Sequence, residues 1–132
     1  MTKQDIISKM KSLNLPTGSY VVFGSGPMAA LGIREVNDID LYVSTEILKQ
    51  LKQKGWKKIY KGPKDHPLTF DVFEAHDNWS FCLYNPTLLD LLSRAFVIDD
   101  ITFASLDDVR KAKATTKRRK DIIDVKLIDK YE

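Results

Sequence analysis

Apolar residues recur along the chain with two distinct periods, and the alternation between them sets out the elements. Ile6, Ile7, Met10 and Leu13 repeat at helical spacing within a polar stretch, which predicts a helix over Lys3 to Leu13. Tyr20 to Phe23 is a continuous apolar, β-branched run that stops at Gly24-Ser25-Gly26-Pro27, residues that punctuate strands. Met28 to Leu31 are good helix formers placed after Pro27, as in a first helical turn. Ile39, Leu41 and Val43 then alternate with Asp38, Asp40 and Tyr42, the period-two signature of a strand.

The rest of the chain continues in the same way. Ser44 and Thr45 look like an N-cap, and Ile47, Leu48 and Leu51 give the inner face of a lysine-rich helix closing at Gly55. Trp56 to Tyr60 predicts a short strand, Gly62 to Pro67 a turn, and Leu68 to Ala75 a third full strand. Asn85-Pro86 opens a helix whose buried side is Leu88, Leu89, Leu91 and Leu92. Phe96 to Ile98 and Ile101 to Phe103 flank Asp99-Asp100 as two short strands or one hairpin. Ser105 caps a further helix with acids in its first turn. A break at Arg118 or Arg119 precedes a last helix, Asp121 to Tyr131. The pattern predicts an α/β (α+β) domain spanning 1–132: a mixed β-sheet, helices flanking it mainly on one side, and a helical C-terminus.

Composition narrows the class. At 132 residues, with 43% hydrophobic and 30% charged residues, the chain has the make-up of one soluble globular domain. No run approaches the ~20 apolar residues of a membrane span. MTKQDIISKM has no apolar signal region, Cys82 stands alone, and two histidines make a zinc site a poor fit. A cytoplasmic protein is therefore expected. The net charge of +3 decides little, but seven of the eleven residues from Arg110 to Lys120 are Lys or Arg, with no acid among them. That block suits either a solvated helix face or a grip on phosphates, and one nucleotide is favoured over a long nucleic acid.

The chemistry concentrates between Tyr20 and Val43. Asp38 and Asp40 project from one face of their strand, an unfavourable pair unless a positive charge lies between them. A hard divalent cation takes such oxygen ligands and keeps phosphates in its other positions. Gly24-Ser25 sits at the end of the preceding strand, where small residues let backbone N–H groups approach an anion at a helix start. In the strand Leu68 to Ala75, alternation puts Asp71 and Phe73 on one face and Val72 and Glu74 on the other. Taken singly, each of these features is common on solvated surfaces. His66 and His76 read as ordinary surface residues.

Together, Gly24-Ser25 after an apolar strand and Asp38-Ile39-Asp40 in the next resemble the signature of the nucleotidyltransferase superfamily, the polymerase-beta-like fold. The likeness extends to Arg34, four residues before Asp38, and to Leu106-Asp107-Asp108-Val109, Lys113 and Arg118-Arg119-Lys120-Asp121-Ile122-Ile123-Asp124. These are similar to a branch that includes small uncharacterised nucleotidyltransferases and abortive-infection, type IV toxin-like ones. Val36 departs from that branch, which usually has Thr there.

The resemblance implies transfer of a nucleotidyl group from a nucleoside triphosphate to a hydroxyl or phosphate acceptor, with Mg²⁺ or, as an alternative, Mn²⁺. Asp38 and Asp40 would hold the metal. Asp71 is the candidate third carboxylate, completing the metal cradle and acting in catalysis, with Glu74 as the alternative. Gly24, Ser25, Arg34, Lys113, Arg118 and Lys120 would hold the nucleotide, while Asp121 and Asp124 pair with neighbouring cations or cap the last helix. The acceptor stays open, a tRNA or a protein being two options. A binding module of the same fold without turnover, or a toxin-type enzyme, is the competing reading.

Overall fold

The computed structural model describes residues 1–80 and 82–132. Its elements run α1 (Lys3–Leu13), β1 (Tyr20–Phe23), α2 (Gly26–Ala30), β2 (Ile39–Val43), α3 (Thr45–Gln53), β3 (Lys57–Lys58), β4 (Leu68–Phe70), β5 (Phe73–His76), α4 (Leu88–Arg94), β6 (Phe96–Ile98), β7 (Ile101–Phe103), α5 (Leu106–Thr116) and α6 (Arg119–Tyr131). The strands form one seven-stranded sheet in the order β3-β4-β5-β2-β1-β7-β6. The sheet is mixed: β1 runs antiparallel to β2, while β2–β5 and β1–β7 are parallel. The expected α/β class and helical C-terminus are present.

Two expectations change. Leu68 to Ala75 is a hairpin, β4 and β5 paired antiparallel with Phe70 opposite Phe73. Asp71 and Val72 make the connection, and Asp71 takes φ +52°, a left-handed conformation that Asp tolerates better than most residues. Helices also cover both faces rather than mainly one. Tyr20, Val22, Ile39, Leu41, Val43, Phe73 and Ala75 pack against Ile6, Ile7 and Met10 of α1 and Ile47 and Leu51 of α3. On the opposite face Val21, Phe23 and Tyr42 pack with Leu91 of α4, Val109 and Ala112 of α5 and Ile128 of α6. β1 is therefore apolar on both sides, as a strand covered twice must be, whereas β2 turns Asp40 and Tyr42 to the second face.

Capping fixes the helix starts. Thr2 and Thr87 each close a reciprocal capping box, with Asp5 and Asp90 respectively. Ser44 caps α3 and Ser105 caps α5 through their side-chain oxygens. The α5–α6 junction turns at Lys117, which takes φ +53° and ends α5 in a left-handed cap. This turn lays α6 back along α5.

Candidate functional site

Pairing register brings the carboxylates together. Phe23 lies opposite Asp40, and Asp40 lies opposite Glu74 on β5. Ile39, Leu41, Phe73 and Ala75 point into the core on the α1/α3 side, so Asp40 and Glu74 share the other face. Asp38 precedes β2 and is exposed at its mouth. All three line one cleft of about 960 Å³, together with Gly24, Ser25 and Arg34. Lys113, Arg118 and Lys120 line it from the α5–α6 side.

Asp71 is absent from this cleft. It sits in the β4–β5 turn, about half exposed, and its carboxylate pairs with Lys9 of α1. This corrects the assignment of Asp71 as third carboxylate: the hairpin turn carries it to the α1 side of the sheet. Glu74, the alternative, takes the position beside Asp40.

Gly24 makes the close approach that the site requires. It has φ +60°, and a Cβ built on it would lie 2.1 Å from Oδ2 of Asp40. The Asp40 carboxylate is thus seated against bare backbone. Burial raises its pKa to about 7, with the neighbouring charges of Glu74 and Asp38 adding to the rise. A proton or a cation is therefore strongly favoured here.

One cation is supplied by the chain. Lys61, on the loop after β3, places Nζ 2.6 Å from Oε1 of Glu74. Burial alone would lower the pKa of this ammonium, but the bond to Glu74 and the charges of Glu74, Asp40 and Asp38 raise it. The same loop is tied down a second time by Asp65, 3.1 Å from Nε2 of His76. His76, expected at the surface, is a largely buried part of the cleft wall, with its ring edge against Trp79. Burial lowers its pKa, against the smaller opposing effect of Asp65.

The opposite wall is a network of cations around Ser25. The Ser25 hydroxyl oxygen accepts from Arg34 at 3.0 Å and from Lys113 at 2.8 Å. Asp124 binds Arg34 through both carboxylate oxygens, each at 2.8 Å, and accepts from Lys113 at 2.7 Å. Arg118 holds Asp121 at 2.7 Å. Burial pushes Asp121 and Asp124 upward in pKa, but these hydrogen bonds outweigh it and hold both below the ordinary value. Ser25, Arg34 and Lys113, far apart in sequence, thus meet at one point, and Asp121 and Asp124 pair with cations as expected. α2 has only five residues; the positive field here comes mainly from the side chains.

Four of the seven cations in the basic block from Arg110 to Lys120 are paired within the chain. Arg110 pairs with Asp129, Lys111 with Asp107, Lys113 with Asp124, and Arg118 with Asp121.

Among the described residues, no three His, Cys, Asp or Glu side chains are grouped closely enough to hold a metal ion as they stand. The donor set still fits a hard divalent cation in kind: three carboxylates at one cleft, one of them with a strongly raised pKa, and an ammonium already drawn in among them. Nothing in the sequence spacing marks Lys61 as a member of this site. Glu74 has a signal, because Phe73 and Ala75 are apolar and the residue between them must face away from that core.

Comparisons with protein-family models, curated proteins and solved structures return no match to this chain. Its functional reading rests on this geometry. No helix among the described residues is long and apolar enough to cross a membrane.

Proposed function

We propose that the cleft is a metal-dependent nucleotidyl-transfer site, the activity implied by the resemblance to the nucleotidyltransferase superfamily. The observation that carries this reading is the meeting of two opposite grips in one cleft. Asp38, Asp40 and Glu74 stand on one side, and Ser25 with Arg34 and Lys113 stands on the other. Asp38, Asp40 and Glu74 would hold Mg²⁺, which when bound supplies charge stabilisation to phosphate oxygens.

Arg34, Lys113 and the Ser25 turn would orient the triphosphate, with positive charge placed before the reaction begins. The acceptor oxygen attacks the α-phosphorus, the bond from that phosphorus to the α–β bridging oxygen breaks, and pyrophosphate leaves with that electron pair. The acceptor proton passes to a carboxylate of the cleft, for which Glu74 takes the role expected of Asp71.

A nucleotide-binding module without turnover is the second reading. The Lys61–Glu74 contact favours it, since an ammonium already neutralises part of the carboxylate set.

Thermal unfolding with and without Mg²⁺ and a nucleoside triphosphate separates these readings from an ordinary acidic surface. Wild type gains stability with ligand by mass action, and Asp38→Asn gains much less. Equal shifts for the two proteins would overturn the metal assignment. Transfer of label from an α-labelled nucleoside triphosphate to a component of cell extract, lost in Asp38→Asn, then distinguishes enzyme from binding module.

A further inference from the structure

Lysines without acidic partners also gather outside the basic block. Between Ile47 and Lys64 there are seven lysines and no Asp or Glu. Four of them, Lys49 and Lys52 on α3, Lys58 on β3 and Lys64 in the following loop, line a second groove of about 410 Å³. All four are exposed, and among the described residues none takes part in an ion pair. Asp77 is the one acid along this groove among the described residues. Lys64, His76 and Ser80 border both the groove and the carboxylate cleft, so the two adjoin.

Aromatic surface lies beside the lysines. The His66 ring lines the groove and packs against Tyr60, centroids 5.0 Å apart. Tyr60 is 73% exposed. A concave track of unpaired lysines with an open ring at its side matches the needs of a single strand: cations along the phosphates and a flat face for a base. A flat anionic membrane would not use a groove, and an acidic peptide would not need the ring.

We propose that this groove binds a single-stranded polynucleotide and leads it toward the carboxylate cleft. Binding stands on the groove alone; the strand's service as the acceptor of nucleotidyl transfer rests on the function proposed above. RNA and DNA share the recognising chemistry.

The test is fluorescence anisotropy of a labelled oligonucleotide over a range of salt, without nucleoside triphosphate or divalent cation. Wild type is expected to bind, with RNA and DNA strands of one sequence compared directly; tighter RNA binding would assign the 2′-hydroxyl a role in recognition. The triple variant Lys49→Gln, Lys52→Gln and Lys58→Gln is expected to weaken binding by about tenfold or more. It should also flatten the plot of log affinity against log salt by about 0.7 for each phosphate no longer neutralised. Neutralising the exposed Lys11, Lys126 and Lys130, none of which lines the groove, should change affinity by less than about twofold, since exposed charges that do not meet the strand are screened. Tyr60→Ala should cost about fivefold or more, because a base loses its stacking platform.

Equal losses from the two triple variants, an unresponsive Tyr60→Ala, equally tight binding of polyglutamate, or no binding by wild type at low salt would each overturn the proposal. Melting curves confirm that each variant is folded. Strand binding without nucleoside triphosphate binding would refute the transfer function and leave the groove; the converse would refute the groove alone.

Discussion

Gly24 and Asp40 constrain one another across the β1–β2 pair, and the site depends on that constraint. Any L-residue at Gly24 meets two costs: left-handed backbone strain of about 1–2 kcal/mol and the collision with the Asp40 carboxylate. Gly24→Ala is therefore expected to destabilise by about 3 kcal/mol or more. In an Asp40→Ala background the colliding oxygen is gone, and the cost should fall toward the backbone strain alone. Urea unfolding of the four proteins measures the coupling, expected at about 1 kcal/mol or above; additive effects would mean that the carboxylate does not rest on Gly24. At this scale the sequence is legible for Asp38, Asp40, Gly24 and Ser25, because strand alternation and a glycine turn place them without tertiary knowledge. Asp71 is misplaced by the same logic, because nothing in the pattern from Leu68 to Ala75 interrupts the strand. A single aspartate in a left-handed turn leaves a weaker mark than Asn-Gly or Gly-Gly would. The apolar flanks of Glu74, Phe73 and Ala75, carry the better signal.

Buried ion pairs dock α6 onto α5 and the loop before β2. Asp121 and Asp124 are 0% and 2% accessible and Lys113 is 9% accessible, while Arg34 reaches Asp124 from the loop before β2. Removing one partner from such a network strands the others in low dielectric. Asp124→Ala should cost about 3–5 kcal/mol, read as a lower urea midpoint at unchanged slope. Replacing the three partners together, Asp124→Leu with Lys113→Met and Arg34→Met, should recover a large part of that loss, since apolar groups then fill the space, no cation is stranded, and Asp121 keeps Arg118. Failure to recover would mean that the network stabilises α6 by more than mutual neutralisation. The helices themselves are legible from period and caps, and so is the pairing of Asp121 and Asp124 with cations. Which cations they meet is not, because Arg34 lies ninety residues from Asp124 and only the fold brings them together. The Asp99-Asp100 hairpin is legible as one of two options. Its two aspartates both take positive φ, at 49° and 67°, as a two-residue turn with the twist of its strands requires.

For the whole molecule, opposed pKa shifts make stability a readout of the site. Covering of both sheet faces, which the continuous apolar run Tyr20 to Phe23 signals but the alternation of Asp38 and Asp40 with Ile39 and Leu41 masks, leaves the carboxylates at the floor of a cleft. Asp40 there has a pKa of about 7, far above the ordinary carboxylate value. Between pH 4 and 7 the folded chain keeps a proton on Asp40 that the unfolded chain has released. Stability from this group is full below the unfolded pKa and is lost as pH rises toward 7. The lowered pKa values of Asp108, Asp121 and Asp124 act the other way. Their contribution is present above the unfolded value and lost as pH falls below it. His76, lowered mainly by burial, also destabilises as pH falls through about 6.5. It opposes Asp40 in the mildly acid range, so the wild-type curve alone is ambiguous. The difference between wild type and Asp40→Asn isolates the group: in metal-free buffer it should favour wild type least above pH 7 and rise steadily as pH falls to about 4. Mg²⁺ should flatten that difference, because a cation held by Asp38, Asp40 and Glu74 stabilises the ionised form. Thermal or urea unfolding from pH 4 to 8, with and without Mg²⁺, measures both. A difference independent of pH would place Asp40 in ordinary solvent. A sloped difference that Mg²⁺ leaves untouched would keep the buried carboxylate and remove the metal from it, leaving Lys61 as the cation the site was built around.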